Sequence, residues 1–317
     1  MSENNNPKVY IIILNYNGKA DTINCLYSLT SAKLENSTIV VVDNASTDGS
    51  IKDIKKNFPK IPIIENETNL GYAGGNNVGI KFAYNQGADY ILLLNNDIKV
   101  DPYFLEELLG LAFKKPKGGI FGSAIYRYDD PDKIEHLGGF YNSSICEFVS
   151  NKKAFKNPKK VDYVCGCTIL IKREVIEKVG LFEPKFFLLW EEADLCARAR
   201  KKDFEIWAQP TSKIWHKISA SFEDGKPQMH YFWWRNRLLW MKRNLDRKEK
   251  KLLYKKVIIP EIIKSYKYLL LKSFLLVFSF SFEKRKIRKE KYLRLKAGCK
   301  GIRDYFMNRF GNTYKKV

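Results

Sequence analysis

The chain is predicted to fold as an α/β domain around a mostly parallel central sheet, followed by a helical extension. Three observations predict this. Short apolar runs at 9–14, 38–42 and 90–94 alternate with segments of helical pattern, as in a sheet built by crossover connections. Each run is apolar and β-branched at nearly every position, as strands buried on both faces require. Near Lys226 the composition changes, and aromatic and basic residues dominate from there on.

Taken in order, the first run at 9–14 is broken by Asn15-Tyr16-Asn17-Gly18, and a helix is expected over 20–31. The strand over 38–42 ends in a polar turn, 43–49, before a helix over 50–58 and a short strand over 61–65. The glycine-rich turn over 69–77 leads into a helix to about 85, and the strand at 90–94 ends in Asn95-Asn96-Asp97. Asp101-Pro102 opens a helix over 104–113. Strands are expected at 120–126 and 164–171, with an exposed excursion over 128–160 carrying a weak hairpin signal. Helices over 172–179, ended by Gly180, and 193–201 precede strands over 206–209 and 212–216. Two domains follow from this reading, 1–225 and 226–317.

The 317 residues suffice for one large domain with an appendage, and 45% hydrophobic content excludes a disordered chain. A formal charge of +21 calls for an anionic partner: nucleic acid, a membrane surface or a phosphorylated substrate. The first eight residues are polar and lack an apolar core, so no secretory signal is expected. The six cysteines have no framework spacing and are read as reduced thiols of a cytoplasmic protein. Cys165-Gly166-Cys167 is the one close pair. It lacks matching zinc ligands nearby, so small buried residues at a turn are expected there.

The segment 257–282 is apolar but interrupted by Pro260, Glu261, Lys264, Lys267 and Lys272, and its charge-free part, 273–282, is too short to cross a bilayer of ~30 Å. Eight basic residues follow between Lys284 and Lys296. An apolar-aromatic segment beside a basic one suits an interfacial membrane anchor, where each cation adds about 1 kcal/mol near anionic lipid. The alternative is a helical extension packed on the main domain with a solvated basic face.

Polar residues gather after the first, second and fourth strands, so one rim of the sheet collects the chemistry. A carboxylate at the end of the fourth strand, Asp97, lies where such sheets bind ligands. A hard cation there is commonly held by one or two carboxylates plus substrate phosphates. Asp43, Glu191-Glu192 and His216 fit the same site. Asp43 can accept hydrogen bonds from a base or ribose, while Asp48-Gly49 is expected to make the turn into the next helix. The glycines allow close backbone approach, and the helix that follows favours an anion. Asp194 and Arg198 have the spacing of a helical ion pair.

The order of Val41-Val42-Asp43-Asn44-Ala45-Ser46-Thr47-Asp48-Gly49-Ser50, Asn69-Leu70-Gly71-Tyr72-Ala73-Gly74-Gly75-Asn76-Asn77, Asn95-Asn96-Asp97, Trp190-Glu191-Glu192-Ala193-Asp194 and His216 resembles the family-two glycosyltransferases of the GT-A fold. Within them it is most similar to the bacterial rhamnosyltransferase-like branch that builds surface polysaccharides. The resemblance covers about 9–244. It implies a nucleotide-sugar pocket lined by Asn15, Tyr16, Asp43, Asn44, Gly71, Gly75, Asn76 and Asn96. Asn95-Asn96-Asp97 stands where the family often has Asp-x-Asp. Asp97 would therefore carry a divalent metal, Mg²⁺ or Mn²⁺, almost alone, with His216 completing the site. Glu191-Glu192 corresponds to the family's acidic pair, whose second member is the general base, and Asp194 would orient the acceptor. Trp233-Trp234-Arg235-Asn236 resembles an aromatic Arg-Asn motif. Arg235 would touch the diphosphate or an anionic acceptor, or the motif only seats the C-terminal helices.

The implied activity is inverting transfer of a sugar from dTDP-rhamnose, or from a UDP-hexose or UDP-hexosamine. The acceptor would be a lipid-linked oligosaccharide or a polysaccharide, reached from the inner face of the cell membrane as a peripheral protein. The rivals from another class are a non-catalytic, basic membrane-binding protein and a nucleic-acid-binding protein. Against the second, the densest basic run lies beside an apolar segment and no nucleic-acid motif occurs, so nucleic acid is not expected as a partner.

Overall fold

Why the first strands lie inside the sheet is visible in their side chains. In β1 (Val9–Asn15), Ile11 and Ile13 join one apolar layer while Tyr10 and Ile12 join the other. β2 (Ser37–Asp43) and β4 (Tyr90–Asn95) divide in the same way, with Val41, Leu92 and Leu94 on one side and Val40, Val42, Ile91 and Leu93 on the other. Strands with no polar face must be covered twice. The covers are α1 (Lys19–Thr30), α2 (Ser50–Asn57) and, later in the chain, α4 (Phe104–Lys114) on one side, and α3 (Gly71–Asn85) on the other.

The computed structural model describes residues 6–217, 226–277 and 282–314, without the side chains of 276–277 and 282–284. It divides into two compact units, the first comprising 1–141, 148–184 and 191–217, the second 142–147, 185–190 and the chain from 218. The second unit therefore takes in two short pieces of the earlier chain, which the change of composition near Lys226 does not reveal.

In the first unit the remaining elements are β3 (Ile63–Glu65), β5 (Ile98–Val100), β6 (Gly118–Arg127), β7 (Ile134–His136), β8 (Gly139–Asn142), β9 (Glu147–Ser150), β10 (Lys159–Val161), β11 (Thr168–Lys172), α5 (Arg173–Val179), α6 (Glu191–Arg200) and β12 (Glu205–His216). The main sheet has the order β10-β12-β6-β11-β4-β1-β2-β3, with β5 on β12 and β7 on β6. β3, β2, β1 and β4 are parallel, and so are β6 and β12, but β11 runs antiparallel between β4 and β6. The expected strands over 206–209 and 212–216 are one strand, β12, whose pairing slips between Gln209 and Lys213. Pro210 sits at that slip, where a residue without an N–H is tolerated. β5 is a three-residue strand, too short to show a period in the sequence. The excursion contains the β8–β9 hairpin together with β7 and β10.

Register decides which side chains meet. Asn15 pairs with Asp43, and Leu14 with Asn95, so the ends of β1, β2 and β4 finish level on one rim. β12 brings His216 opposite Ile98, next to Asp97.

The second unit is helical: α7 (Pro227–Asn244), α8 (Arg247–Leu253), a π-helical turn over Tyr254–Ile258, α9 (Ile259–Val277) and α10 (Phe282–Phe306). α8 opens on a capping box between Asp246 and Glu249. Tyr231, Phe232 and Ala297 form one of its apolar clusters, packed by Phe187, Leu188, Leu189 and Tyr314. No helix among the described residues is long and apolar enough to cross a membrane. Part of the stretch expected to be apolar, 278–281, lies outside the described residues.

Candidate active site

The rim holds a connected set of polar side chains. Asp43 is buried, and it is not left free by Asp48 as the sequence reading expects. Its Oδ1 accepts from Asn15 Nδ2 at 2.7 Å, and its Oδ2 accepts from the Ser46 N–H at 2.8 Å across the left-handed Ala45. Asp48 ties a second turn by accepting from the backbone N–H groups of Lys19 and Ser50. Thr22, at the start of α1, donates to Asn15 Oδ1 at 2.7 Å and accepts from Asn96 Nδ2 at 2.8 Å. One buried hydroxyl therefore joins the nucleotide-side residues to the loop that carries Asp97. Thr22 escapes sequence reading because a threonine in a helix carries no motif.

The glycine-rich turn is shaped by close approach. Gly71 has φ +73°, a left-handed conformation that favours glycine. A Cβ on Gly75 would lie 2.5 Å from Leu14 Cδ1 and 2.8 Å from Asn44 Nδ2, so α3 packs directly on the ends of β1 and β2. Asn44 is buried, donating to Gly71 O at 3.0 Å and accepting from Asn66. Asn76 is buried, with its amide nitrogen donating to Tyr72 O at 3.0 Å. Tyr16 is half-exposed at the rim.

His216 Nε2 stands 3.1 Å from Asp97 Oδ1, both residues nearly buried. That oxygen accepts no well-aligned hydrogen bond, and a buried carboxylate oxygen in that condition suits a cation. Burial works against the imidazolium, but the Asp97 carboxylate outweighs it and raises the His216 pKa above its ordinary value. No group of three or more His, Cys, Asp or Glu among the described residues is arranged to hold a metal. A cation here would take Asp97 and His216 and complete its shell from phosphate and water.

The turn 165–167 links this pair to the acidic residues. Cys167 Sγ lies 3.6 Å from His216 Nε2 and 3.4 Å from Cys165 Sγ. The Gly166 N–H hydrogen-bonds the Glu192 carboxylate, and the Gly166 carbonyl accepts from Tyr72 Oη at 2.5 Å. Asn95, Cys167 and His216 thus stand between Asp97 and the head of α6, where Glu191 and Glu192 begin the helix. Both glutamates keep one carboxylate oxygen without a hydrogen bond. Burial, then the charge of Glu192, holds Glu191 well above the usual carboxylate range; burial also raises Glu192, opposed by backbone N–H groups. Tyr72, raised by burial and then by the charges of Glu191 and Glu192, stays a neutral donor beside them.

For two expected site residues the structure shows the structural one of the two expected roles. Asp194 is fully buried and paired with Arg198 at 2.7 Å, while Arg198 also donates to the carbonyls of Val179 and Leu181. Its carboxylate braces α6. Arg235 is fully buried in the second unit, with its guanidinium engaged by Lys185 O, Phe186 O, Gly311 O, Thr313 Oγ1 and Asn236 Oδ1. No donor is left for a diphosphate. A solvent-facing arginine and a buried one look alike in sequence when both sit among aromatic residues.

Residues 10–180, more than half of the chain, match the family described as Glycosyl transferase family 2. The chain belongs to that family. The hexosyltransferase Agl10 of low-salt glycan biosynthesis in Haloferax volcanii is 29% identical over 62% of this chain and 62% of its own length, so the match leaves more than a third of that protein uncovered. The dTDP-rhamnosyl transferase RfbF of Shigella flexneri is 24% identical over 75% of this chain and 81% of its own. The N-acetylglucosaminyl-diphospho-decaprenol L-rhamnosyltransferase of Mycobacterium tuberculosis is 23% identical over 69% and 83%. Among solved structures, the mannosyltransferase PcManGT of Pyrobaculum calidifontis, in complex with GDP-Man and Mn²⁺, superposes with a TM-score of 0.58 at 14% identity, over 95% of this chain and 88% of that one. GalNAc-T7 with UDP, GalNAc and Mn²⁺ gives 0.63 at 14% identity, over 96% of this chain and 57% of that one. The transferase has the GT-A fold: the mixed sheet with its level rim, followed by helices.

Proposed function

We propose that the transferase moves a sugar, with inversion, from a nucleoside diphosphate donor to a lipid-linked oligosaccharide or growing surface polysaccharide. The observation that carries this is the 165–167 turn, which touches His216 through Cys167 and Glu192 through Gly166. A site with the Asp97–His216 pair on one side of that turn and a raised-pKa carboxyl on the other has both parts of a glycosyl transfer. Glu192 would take the proton from the acceptor hydroxyl as that oxygen attacks the anomeric carbon, a role typically worth ~10²–10⁴ in rate. A Mg²⁺ or Mn²⁺ ion on Asp97 and His216 would neutralise charge on the departing diphosphate. Asn15, Asp43, Asn44, Asn96 and the turn at Gly71 and Gly75 would hold the nucleotide, with Tyr16 over its exposed side. The relatives named for rhamnosyl transfer support dTDP-rhamnose as donor, and one of them is named for a diphospho-lipid acceptor.

Release of nucleoside diphosphate from a panel of dTDP- and UDP-sugars, with Mn²⁺ or Mg²⁺ and crude lipid extract, tests this. Turnover of one donor that a chelator abolishes is the expected result. Neither binding nor turnover of any nucleotide sugar would overturn it.

A peripheral place on anionic membrane is part of the same proposal. α9 exposes Ile263, Leu270, Leu271 and Phe274 together with Lys264 and Lys267, and Leu270 is 72% exposed. Apolar side chains interleaved with lysines suit the headgroup region. Sedimentation with anionic but not neutral vesicles, weakening with salt, is the expected outcome; equal binding to single-stranded DNA would favour the nucleic-acid rival.

A further inference from the structure

The loop 185–190 runs without a break into Glu191, the first residue of α6. Its backbone is unusual. Phe187, Leu189 and Trp190 have φ values of +64°, +72° and +76°, and none of them is glycine, asparagine or aspartate. Large side chains in the left-handed region persist only where their surroundings enforce it, and such residues cluster at functional sites.

Two adjacent residues of α7 supply that enforcement. The Asn236 amide nitrogen donates to Phe186 O at 2.9 Å, Leu188 O at 2.7 Å and Leu189 O at 2.8 Å. Arg235 donates to Lys185 O at 3.1 Å and Phe186 O at 2.8 Å. Both side chains are wholly buried, and the acceptors of Arg235 are carbonyls, a hydroxyl and the neighbouring amide. Burying a guanidinium is costly, so such a group earns its place by a specific task. The aromatic contacts Phe187–Phe232, Trp190–Trp233 and Trp190–Trp240 would by themselves pack the loop. These polar contacts fix something packing does not, namely the direction of the carbonyls of Lys185, Phe186, Leu188 and Leu189.

We propose that Arg235 and Asn236 are positioning residues: they set the left-handed path of 185–190, the segment that is peptide-bonded to Glu191. This rests on the reading of Glu192 as the base. Misplacing a reacting group by about 1 Å can cost ~10²-fold. Both side chains are engaged by the protein's own groups, so the effect is expected on turnover and not on nucleotide affinity.

The test compares the full-length protein with its Asn236→Ala form by amide hydrogen exchange, nucleotide binding and steady-state kinetics. The expected result is faster exchange confined to about 186–192, a kcat lowered at least ~10-fold, and a nucleoside diphosphate Kd unchanged within about twofold. Adding Leu189→Gly, which accepts a positive φ at no steric cost, should restore part of the lost kcat. An unchanged exchange pattern, an unchanged kcat in the folded variant, or a nucleotide Kd that rises in step with the loss of kcat would each overturn the proposal. Should Asn236→Ala not fold, Asn236→Ser, which keeps one donor, is measured against the same outcomes. A wild type that consumes no nucleotide sugar counts against the functional reading alone, because the exchange measurement still decides whether Asn236 orders the loop.

Discussion

Two buried polar clusters in this protein are built on opposite terms. In the candidate site, Glu191 and Glu192 each bury a carboxylate oxygen with no hydrogen bond, and Asp97 Oδ1 has His216 alone beside it. In the helical unit, Arg235, Asn236 and Arg237 are buried more completely, yet their donors are engaged: Arg237 alone bonds Ile145 O, Cys146 O and Glu261. Unpaired buried polar atoms are costly and stay where function needs them, whereas saturated ones fix a conformation. Burial and polarity are alike in the two clusters. The difference in pairing separates a site that awaits a ligand from a scaffold that is finished.

This contrast can be broken by mutation. The largest effect is expected at Glu192: Glu192→Gln should lower kcat by ~10²–10⁴ with the thermal midpoint nearly unchanged, measured by nucleoside diphosphate release. The opposite pattern is expected at Arg237. Arg237→Ala leaves Glu261 and two carbonyls without their partner and should cost about 3–5 kcal/mol in urea denaturation, with nucleotide affinity retained in the folded fraction. A smaller loss, about 1–3 kcal/mol together with weaker nucleotide binding, is expected for Gly75→Ala, since the added methyl must push α3 off Asn44 and Leu14. The gentlest probe is pH. Burial holds Glu192 above its reference value of 4.5, and a base must be ionised to act, so kcat should fall on acidification from a pH above 4.5. An acid limb at or below that value would place the base in open water.

How much of this was legible in the sequence follows from the kind of interaction involved. The strands β1, β2 and β4 could be read because strands covered on both faces leave continuous apolar runs. Their ends could be read because Asp43 and Asp97 interrupt those runs. The Asp97–His216 approach, across more than a hundred residues, came only through the family resemblance, since antiparallel pairing of β5 with β12 has no local signature. For Asp194 and Arg235 the sequence left two roles open for a shared reason: it shows the charge of a side chain but not whether a helical partner or neighbouring carbonyls have already engaged it. Thr22 was missed, and Cys167 was read only as part of a turn, because their contacts form only in the folded state. The pieces 142–147 and 185–190 join the helical unit through backbone carbonyls, which carry no sequence identity.

The central claim is that Asp97 and His216 hold the metal of a nucleotide site while Glu192 acts on the chemistry alone. Titration calorimetry of dTDP and UDP, with and without Mn²⁺, tests it most directly on the wild type, Asp97→Ala and Glu192→Gln. The account predicts that Mn²⁺ tightens nucleotide binding in the wild type and in Glu192→Gln, and leaves Asp97→Ala unaffected. Equal stimulation by Mn²⁺ in Asp97→Ala would contradict it, because the metal would then sit elsewhere.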